Sequence, residues 1–110
     1  MLYIRVSLMV PKEGCDREVA ETMDDLVAFY DEQPGFVGGY KLRSADGNRY
    51  IGRVTVWQSE EAADAAAQTT HVLARRSELQ PLIEQESHLE RSFDAAEGAQ
   101  SLAELIAARA

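Results

Sequence analysis

Two histidines and three arginines set inside apolar runs are the side chains of this sequence with the most chemistry in them. An imidazole takes or gives a proton near neutral pH, so His71 is a candidate catalytic base able to deprotonate a phenolic substrate. No orienting partner for it is visible in the sequence, and a partly exposed histidine at a helix start is the plainer alternative. His88 falls on or near a late strand among Glu84, Glu86 and Glu90, the setting of a solvated edge residue. Arg5, Arg53 and Arg91 each sit inside a different strand-like run. Guanidiniums converging there would hold an anionic or phenolate ligand and stabilise negative charge developing on it. Pairing with carboxylates such as Glu90, or with a second copy of the chain, is the structural alternative. Even spacing puts Arg53 and Trp57 on one strand face. Tyr3 carries a hydroxyl that would orient a substrate oxygen, and Ser7 adds a second one on the same strand. These define the candidate pocket: His71 as catalytic residue, with Arg5, Arg53, Trp57, Ser7 and Tyr3 around the substrate.

Other chemistries find no support. Two histidines cannot make a His-rich metal site within one chain, and the single cysteine, Cys15, rules out both an internal disulfide and a zinc-type cluster. Cys15 stands near a helix start, where a thiolate is favoured, but no motif makes it a nucleophile. Gly38-Gly39 suits a bulge or a close backbone approach better than a phosphate loop, because no helix N-terminus follows it. Neither a metal nor a cofactor is therefore expected.

The elements that must position these residues follow from hydrophobic period. Leu2, Ile4, Val6, Leu8 and Val10 alternate with Tyr3, Arg5, Ser7 and Met9, the two-residue repeat of a strand, which Pro11-Lys12-Glu13-Gly14 breaks. Val19, Met23, Leu26, Val27 and Tyr30 then mark one face of an amphipathic helix, with Cys15 or Asp16 near its N-cap and Pro34-Gly35 as its stop. Phe36 to Arg43 and Arg49 to Trp57 read as strands of a hairpin around Asp46-Gly47. Ser59 is an N-cap followed by Glu60 and Glu61, where the helix dipole favours negative charge. The alanine-rich helix it starts weakens at Thr69-Thr70 and continues as a further segment, His71 to Leu79, until Pro81. A last strand spans Ser87 to Phe93. Residues 95–110 read as a small-residue linker and a short helix striped by Leu102, Leu105 and Ile106.

The 110 residues hold 11 Lys+Arg against 19 Asp+Glu, a formal charge of −8, and 45% are hydrophobic. That suits one folded domain. No basic cluster exceeds Arg75-Arg76, so neither nucleic acid nor an anionic membrane is an expected partner. The N-terminal run does not resemble a signal peptide and no stretch approaches the roughly 18 apolar residues of a membrane helix, so a cytoplasmic location is expected.

The order strand, helix, strand, strand, helix, strand predicts an α+β, ferredoxin-like βαββαβ domain over residues 1–94, with an antiparallel sheet of spatial order 4-1-3-2 and helices on one face. Large apolar residues lie on both strand faces, and the chain has nothing left to cover the second. A homodimer packed through sheet faces is the simplest cover.

Val10-Pro11-Lys12-Glu13-Gly14, Pro34-Gly35-Phe36 and Thr55-Val56-Trp57-Gln58-Ser59-Glu60-Glu61-Ala62, in that order, with His71, Leu73 and Leu79 beyond them, resemble the antibiotic biosynthesis monooxygenase family. The resemblance implies a dimeric α/β barrel. It also implies a cavity between sheet and helices, which in several members takes a flat aromatic or quinol-type substrate that reacts with oxygen without metal or flavin. Other members degrade haem. That branch uses an asparagine, a tryptophan and a histidine where this chain carries Ser7, Ala66 and Arg76, so haem degradation is not expected. Two readings follow: a cofactor-independent monooxygenase-like protein acting on a small aromatic or quinol-type molecule, or a non-catalytic small-ligand-binding or assembly module of the same fold.

Overall fold

The computed structural model describes residues 1–96. Alternation over Leu2–Met9 forms the central strand β1, followed by helix α1 (Asp16–Asp31), strands β2 (Phe36–Arg43) and β3 (Ile51–Trp57), helices α2 (Glu60–Ala67) and α3 (Thr70–Leu79), and strand β4 (Leu89–Ala95). The strands join antiparallel in the order β2-β3-β1-β4, which is the expected 4-1-3-2 sheet seen from its other edge. The fold is the ferredoxin-like βαββαβ arrangement. The last strand begins and ends two residues later than the pattern suggested, and the expected C-terminal helix lies outside the described residues.

Helices α2 and α3 each start where the sequence supplies a side-chain acceptor for an orphan backbone N–H, whereas α1 opens at Cys15 without one. The Ser59 side chain accepts from Ala62 N at 3.2 Å and opens α2. Thr69 does more than weaken the helix. Its hydroxyl donates to Ala66 O at 2.8 Å, closing α2, and accepts from Val72 N at 3.4 Å, opening α3. The expected further segment is thus a separate helix, α3, with a cap between it and α2.

Register settles which side chains share a face. Tyr3, Arg5, Ser7 and Met9 lie opposite Trp57, Thr55, Arg53 and Ile51, and this face meets the helices. From α1, Val19, Met23, Leu26 and Tyr30 are buried against it. Trp57 is the centre of this core at 1% exposure, with Tyr30 and Phe36 both packed edge-on to its ring at 5.5 and 5.1 Å. The pairing between β2 and β3 shifts register between Phe36 and Gly38, so Val37 is the extra residue of an irregularity that keeps Phe36 against Trp57. Gly35, with φ of +82°, makes the turn into β2, and a Cβ there would lie 2.6 Å from the Ala62 Cβ.

The other sheet face carries Leu2, Ile4, Val6 and Leu8 with Val54, Val56, Tyr40, Leu42, Leu89 and Phe93. Within one chain it is open: Tyr40 is 57% and Phe93 53% exposed.

Candidate functional site

A polar cluster occupies the helix-facing side of the sheet, under α2 and α3. Pairing places Ser7 between Arg53 on β3 and Glu90 on β4, and Arg5 between Thr55 and Ser92. To the lining above Ser7 and Arg53 α2 contributes the methyls of Ala63 and Ala67, while α3 reaches down with Arg76. Small side chains on α2 therefore leave room that the long arginines fill. Two cavities remain, of about 10 and 20 Å³, and Ser7, Arg53 and Arg76 line both. Each has room for about one water, since roughly 10–15 Å³ of this kind of volume is what a single water requires. Neither holds an aromatic ring as the side chains stand.

The three guanidiniums of the cluster are partnered unequally. Arg5 donates to Asp64 Oδ1 of α2 at 3.0 Å and to the Tyr3 hydroxyl at 2.8 Å. Arg76 reaches Glu90 Oε2 at 3.5 Å, a loose pair with side chains 40% and 34% exposed. Arg53 is 7% exposed and, among the described residues, forms no ion pair. Its Nη1 points at Met23 Sδ at 3.5 Å and its guanidinium lies 5.7 Å from the Tyr30 ring centroid.

His88 joins this cluster. Its Nε2 lies 2.9 Å from Ser7 Oγ, and its ring lines the larger cavity with Arg53 and Arg76. Burial pushes its pKa down, the Arg76 and Arg53 charges act the same way, and Glu90 opposes them. A neutral imidazole results, with Nε2 able to accept from the Ser7 hydroxyl. The chain delivers it there through a turn at Glu86, whose φ of 65° puts a non-glycine residue in the left-handed region. Ser87 then accepts from Val10 N at 3.1 Å and locks the turn onto the end of β1. Nothing in the local sequence pattern around His88 signalled this; the reversal that makes it is a long-range contact.

The structure brings Arg5, Ser7, Arg53 and Trp57 together in one lining, with Tyr3 attached through Arg5. Trp57 donates its indole N–H to Thr55 Oγ1 at 3.0 Å. Arg91 does not converge with the others. It lies opposite Val6 on the far sheet face, because the two-residue period gives that phase to odd positions of β4 and the helix-facing phase to Glu90.

His71 sits elsewhere, in a clamp between α1 and α3. Its Nε2 is 2.6 Å from Asp25 Oδ2, its ring stacks on Phe29 at 4.3 Å, and Arg75 donates to the same Asp25 oxygen at 2.9 Å. Burial raises the Asp25 pKa, but the hydrogen bonds from Arg75 and His71 outweigh it and hold the carboxyl below the usual carboxylate range. His71 lines neither cavity of the polar cluster. Among the described residues no group of three or more His, Cys, Asp or Glu side chains could hold a metal ion, and no helix is long and apolar enough to cross a membrane.

The βαββαβ order and the β2-β3-β1-β4 sheet define the class of fold as ferredoxin-like. Residues 1–77 match the model of the antibiotic biosynthesis monooxygenase family. The chain belongs to that family. Its fold is similar to that of Rv0793 from Mycobacterium tuberculosis, with a TM-score of 0.80 at 15% identity over 91% of this chain and 100% of that one. It is likewise similar to a variant of SnoaB, a cofactor-independent oxygenase from Streptomyces nogalater, with a TM-score of 0.78 at 22% identity over 91% and 98% of the two chains. A Nitrosomonas europaea protein described as an antibiotic biosynthesis monooxygenase aligns with a TM-score of 0.78 at 17% identity, over 86% of this chain and 89% of that one. No curated protein matches the sequence.

Proposed function

We propose that this chain is a cofactor-independent oxygenase for a small phenolic or quinol-type molecule, bound between the sheet and helices α2 and α3. The observation that carries the reading is the cluster of Ser7, Arg53, Arg76 and neutral His88 enclosed between the sheet and helices α2 and α3. His88 Nε2, exchanging its Ser7 partner for substrate, takes a proton from the bound hydroxyl or acidic carbon. Arg53 and Arg76 stabilise the anion so formed, which an oxygen molecule then oxidises. For an anthrone-type CH2 the balance is two C–H bonds broken, one C=O formed, and the second oxygen atom released as water. His71 serves as part of the α1–α3 clamp in this scheme. Entry requires Arg76 and Glu90 to part, which costs little, because half-exposed pairs contribute about 0–1 kcal/mol.

The working unit is a homodimer joined through the outer sheet face, supported by the exposed Tyr40, Leu89 and Phe93. Light scattering reads a dimer for the native chain and a monomer for Phe93→Asp; a native monomer of 12.2 kDa overturns this part. The acidic balance of −8 and the lone thiol of Cys15 support a small-molecule partner and a reducing, cytoplasmic setting. No cofactor enters the scheme.

Oxygen consumption over a panel of anthrones and naphthoquinols tests the activity. The expected result is a rate above buffer that falls in His88→Gln and Arg76→Ala. Buffer-level rates throughout refute it. A second reading is favoured by the cavities, each with room for only about one water. It makes the chain a non-catalytic binding or assembly module of the same fold, and saturable binding of panel members without oxygen uptake identifies that case.

A further inference from the structure

We infer that Arg53 is the floor of a carboxylate-binding site, and that an aromatic ligand bearing a carboxylate is held in this pocket more tightly than its uncharged counterpart. The inference shares its pocket with the oxygenase reading but stands on separate observations. Arg53 is 7% exposed and among the described residues has no carboxylate partner. A buried charge without a counterion is rare, because removing it from water costs several kcal/mol unless something compensates. Its protein contacts are weak ones, a thioether sulfur at 3.5 Å and an aromatic face at 5.7 Å, although among the described residues no fully buried side-chain nitrogen is left without a partner.

The charge balance around it says what is missing. Arg5 is matched by Asp64 and Arg76 by Glu90, so three guanidiniums against two carboxylates leave one positive charge. His88, neutral under the burial that lowers its pKa, adds none. Lys41, across from Arg53 on β2, is already paired with Asp24 at 2.6 Å. Among the described residues the site lacks one negative charge. A guanidinium donates in a planar fork that suits the two oxygens of a carboxylate. Beside Arg53, Ser7 supplies a hydroxyl donor and Arg76 a second guanidinium, both lining the same cavities. Those cavities have the size of water, which is the size of a carboxylate oxygen and far below that of a ring. The head group therefore enters at Arg53 while the ring takes the place vacated when Arg76 and Glu90 part. α2 presents alanine methyls over that place.

The indole N–H of Trp57, the only tryptophan, is a spectroscopic reporter on the same lining. Titrating the full chain at low ionic strength with benzoate, benzyl alcohol and benzylamine, and following the indole cross-peak in ¹H–¹⁵N spectra, tests the inference. Benzoate is expected to give a saturable shift and the neutral and cationic isosteres none. Arg53→Met should weaken benzoate about ten- to a hundredfold, the loss of a charged hydrogen-bonded contact. Arg53→Lys should retain part of the affinity, and Arg17→Met, on an exposed α1 site, should leave it unchanged. Equal response to benzyl alcohol, absence of saturation with benzoate, or benzoate binding within twofold of native in Arg53→Met or equal in Arg53→Lys overturns it. Failure of the quinol panel to consume oxygen leaves this result standing, and failure of benzoate to bind leaves the oxygenase reading standing.

Discussion

Replacing Arg53 by methionine should make the ligand-free protein more stable. The methionine reaches into the same space beside Met23 and Tyr30 with no charge to desolvate. The native guanidinium sits at 7% residue exposure with no ion pair among the described residues, a placement that costs several kcal/mol per ion after relaxation. Against that stand one long contact to sulfur at 3.5 Å and a ring contact at 5.7 Å, the latter worth up to about 2 kcal/mol when desolvated. Water in the two flanking cavities offsets a further part. The balance favours Arg53→Met by about 1–3 kcal/mol, within the range seen when buried charges are replaced by packed apolar groups. For a domain of this size each kcal/mol moves Tm by about 4–8 °C. Thermal melts followed by circular dichroism, with urea melts followed by Trp57 fluorescence, measure it. Saturating carboxylate should narrow or reverse the order, because ligand at a hundredfold excess over Kd adds about 2.7 kcal/mol to the native protein alone. A lower Tm for Arg53→Met without ligand refutes the reasoning: the guanidinium would then be satisfied by its protein contacts and would owe nothing to an absent anion.

Three further outcomes follow from the same geometry. His88 has its folded pKa held below the ordinary 6.5, so beneath that pH the unfolded chain binds a proton that the folded chain resists, and stability falls as pH drops. His88→Gln should flatten the difference in urea midpoints between pH 7.5 and 5.5; an unchanged slope contradicts the burial of the ring. Gly52→Ala drives a Cβ onto the Ser7 carbonyl oxygen and Leu8 Cα of the neighbouring strand, so it should cost about 3 kcal/mol in urea unfolding, and a neutral result disproves the close approach. His71→Ala removes the Asp25 contact and the Phe29 stack, and should lower stability by about 1 kcal/mol while leaving oxygen uptake unchanged. A selective loss of turnover would return His71 to the catalytic machinery.

The fold was legible because its signals are local. Alternation in Leu2–Met9, the one-sided stripe Val19, Met23, Leu26, Tyr30 and the cap at Ser59 each fix an element without reference to distant residues. Thr69 shows where local reasoning stops short. Two threonines weaken a helix by propensity, but a threonine able to bond backward to Ala66 and forward to Val72 ends one helix and starts another. Whether it does so depends on the direction α3 takes across the sheet.

The site was half legible for a related reason. Even spacing shows that Arg53 and Trp57 share a face and that Tyr3, Arg5 and Ser7 share another, and register then merges these into one. Spacing could not give the phase of β4. A shift of one residue exchanges Glu90 for Arg91 beside Ser7, turning a third converging guanidinium into a carboxylate. Histidines are harder still. His71 and His88 look alike in sequence, yet Asp25, 46 positions from one, draws it into a helix clamp, and Ser7, 81 positions from the other, holds it in the pocket. The property that matters most at Arg53 is an absence, and no motif can encode one. It emerges only when the carboxylates of α1, α2, α3 and β4 have been placed and none of them is found paired with Arg53. A guanidinium left in the interior with no carboxylate partner among the described residues of so acidic a chain is a stronger pointer to a ligand than any pattern around it.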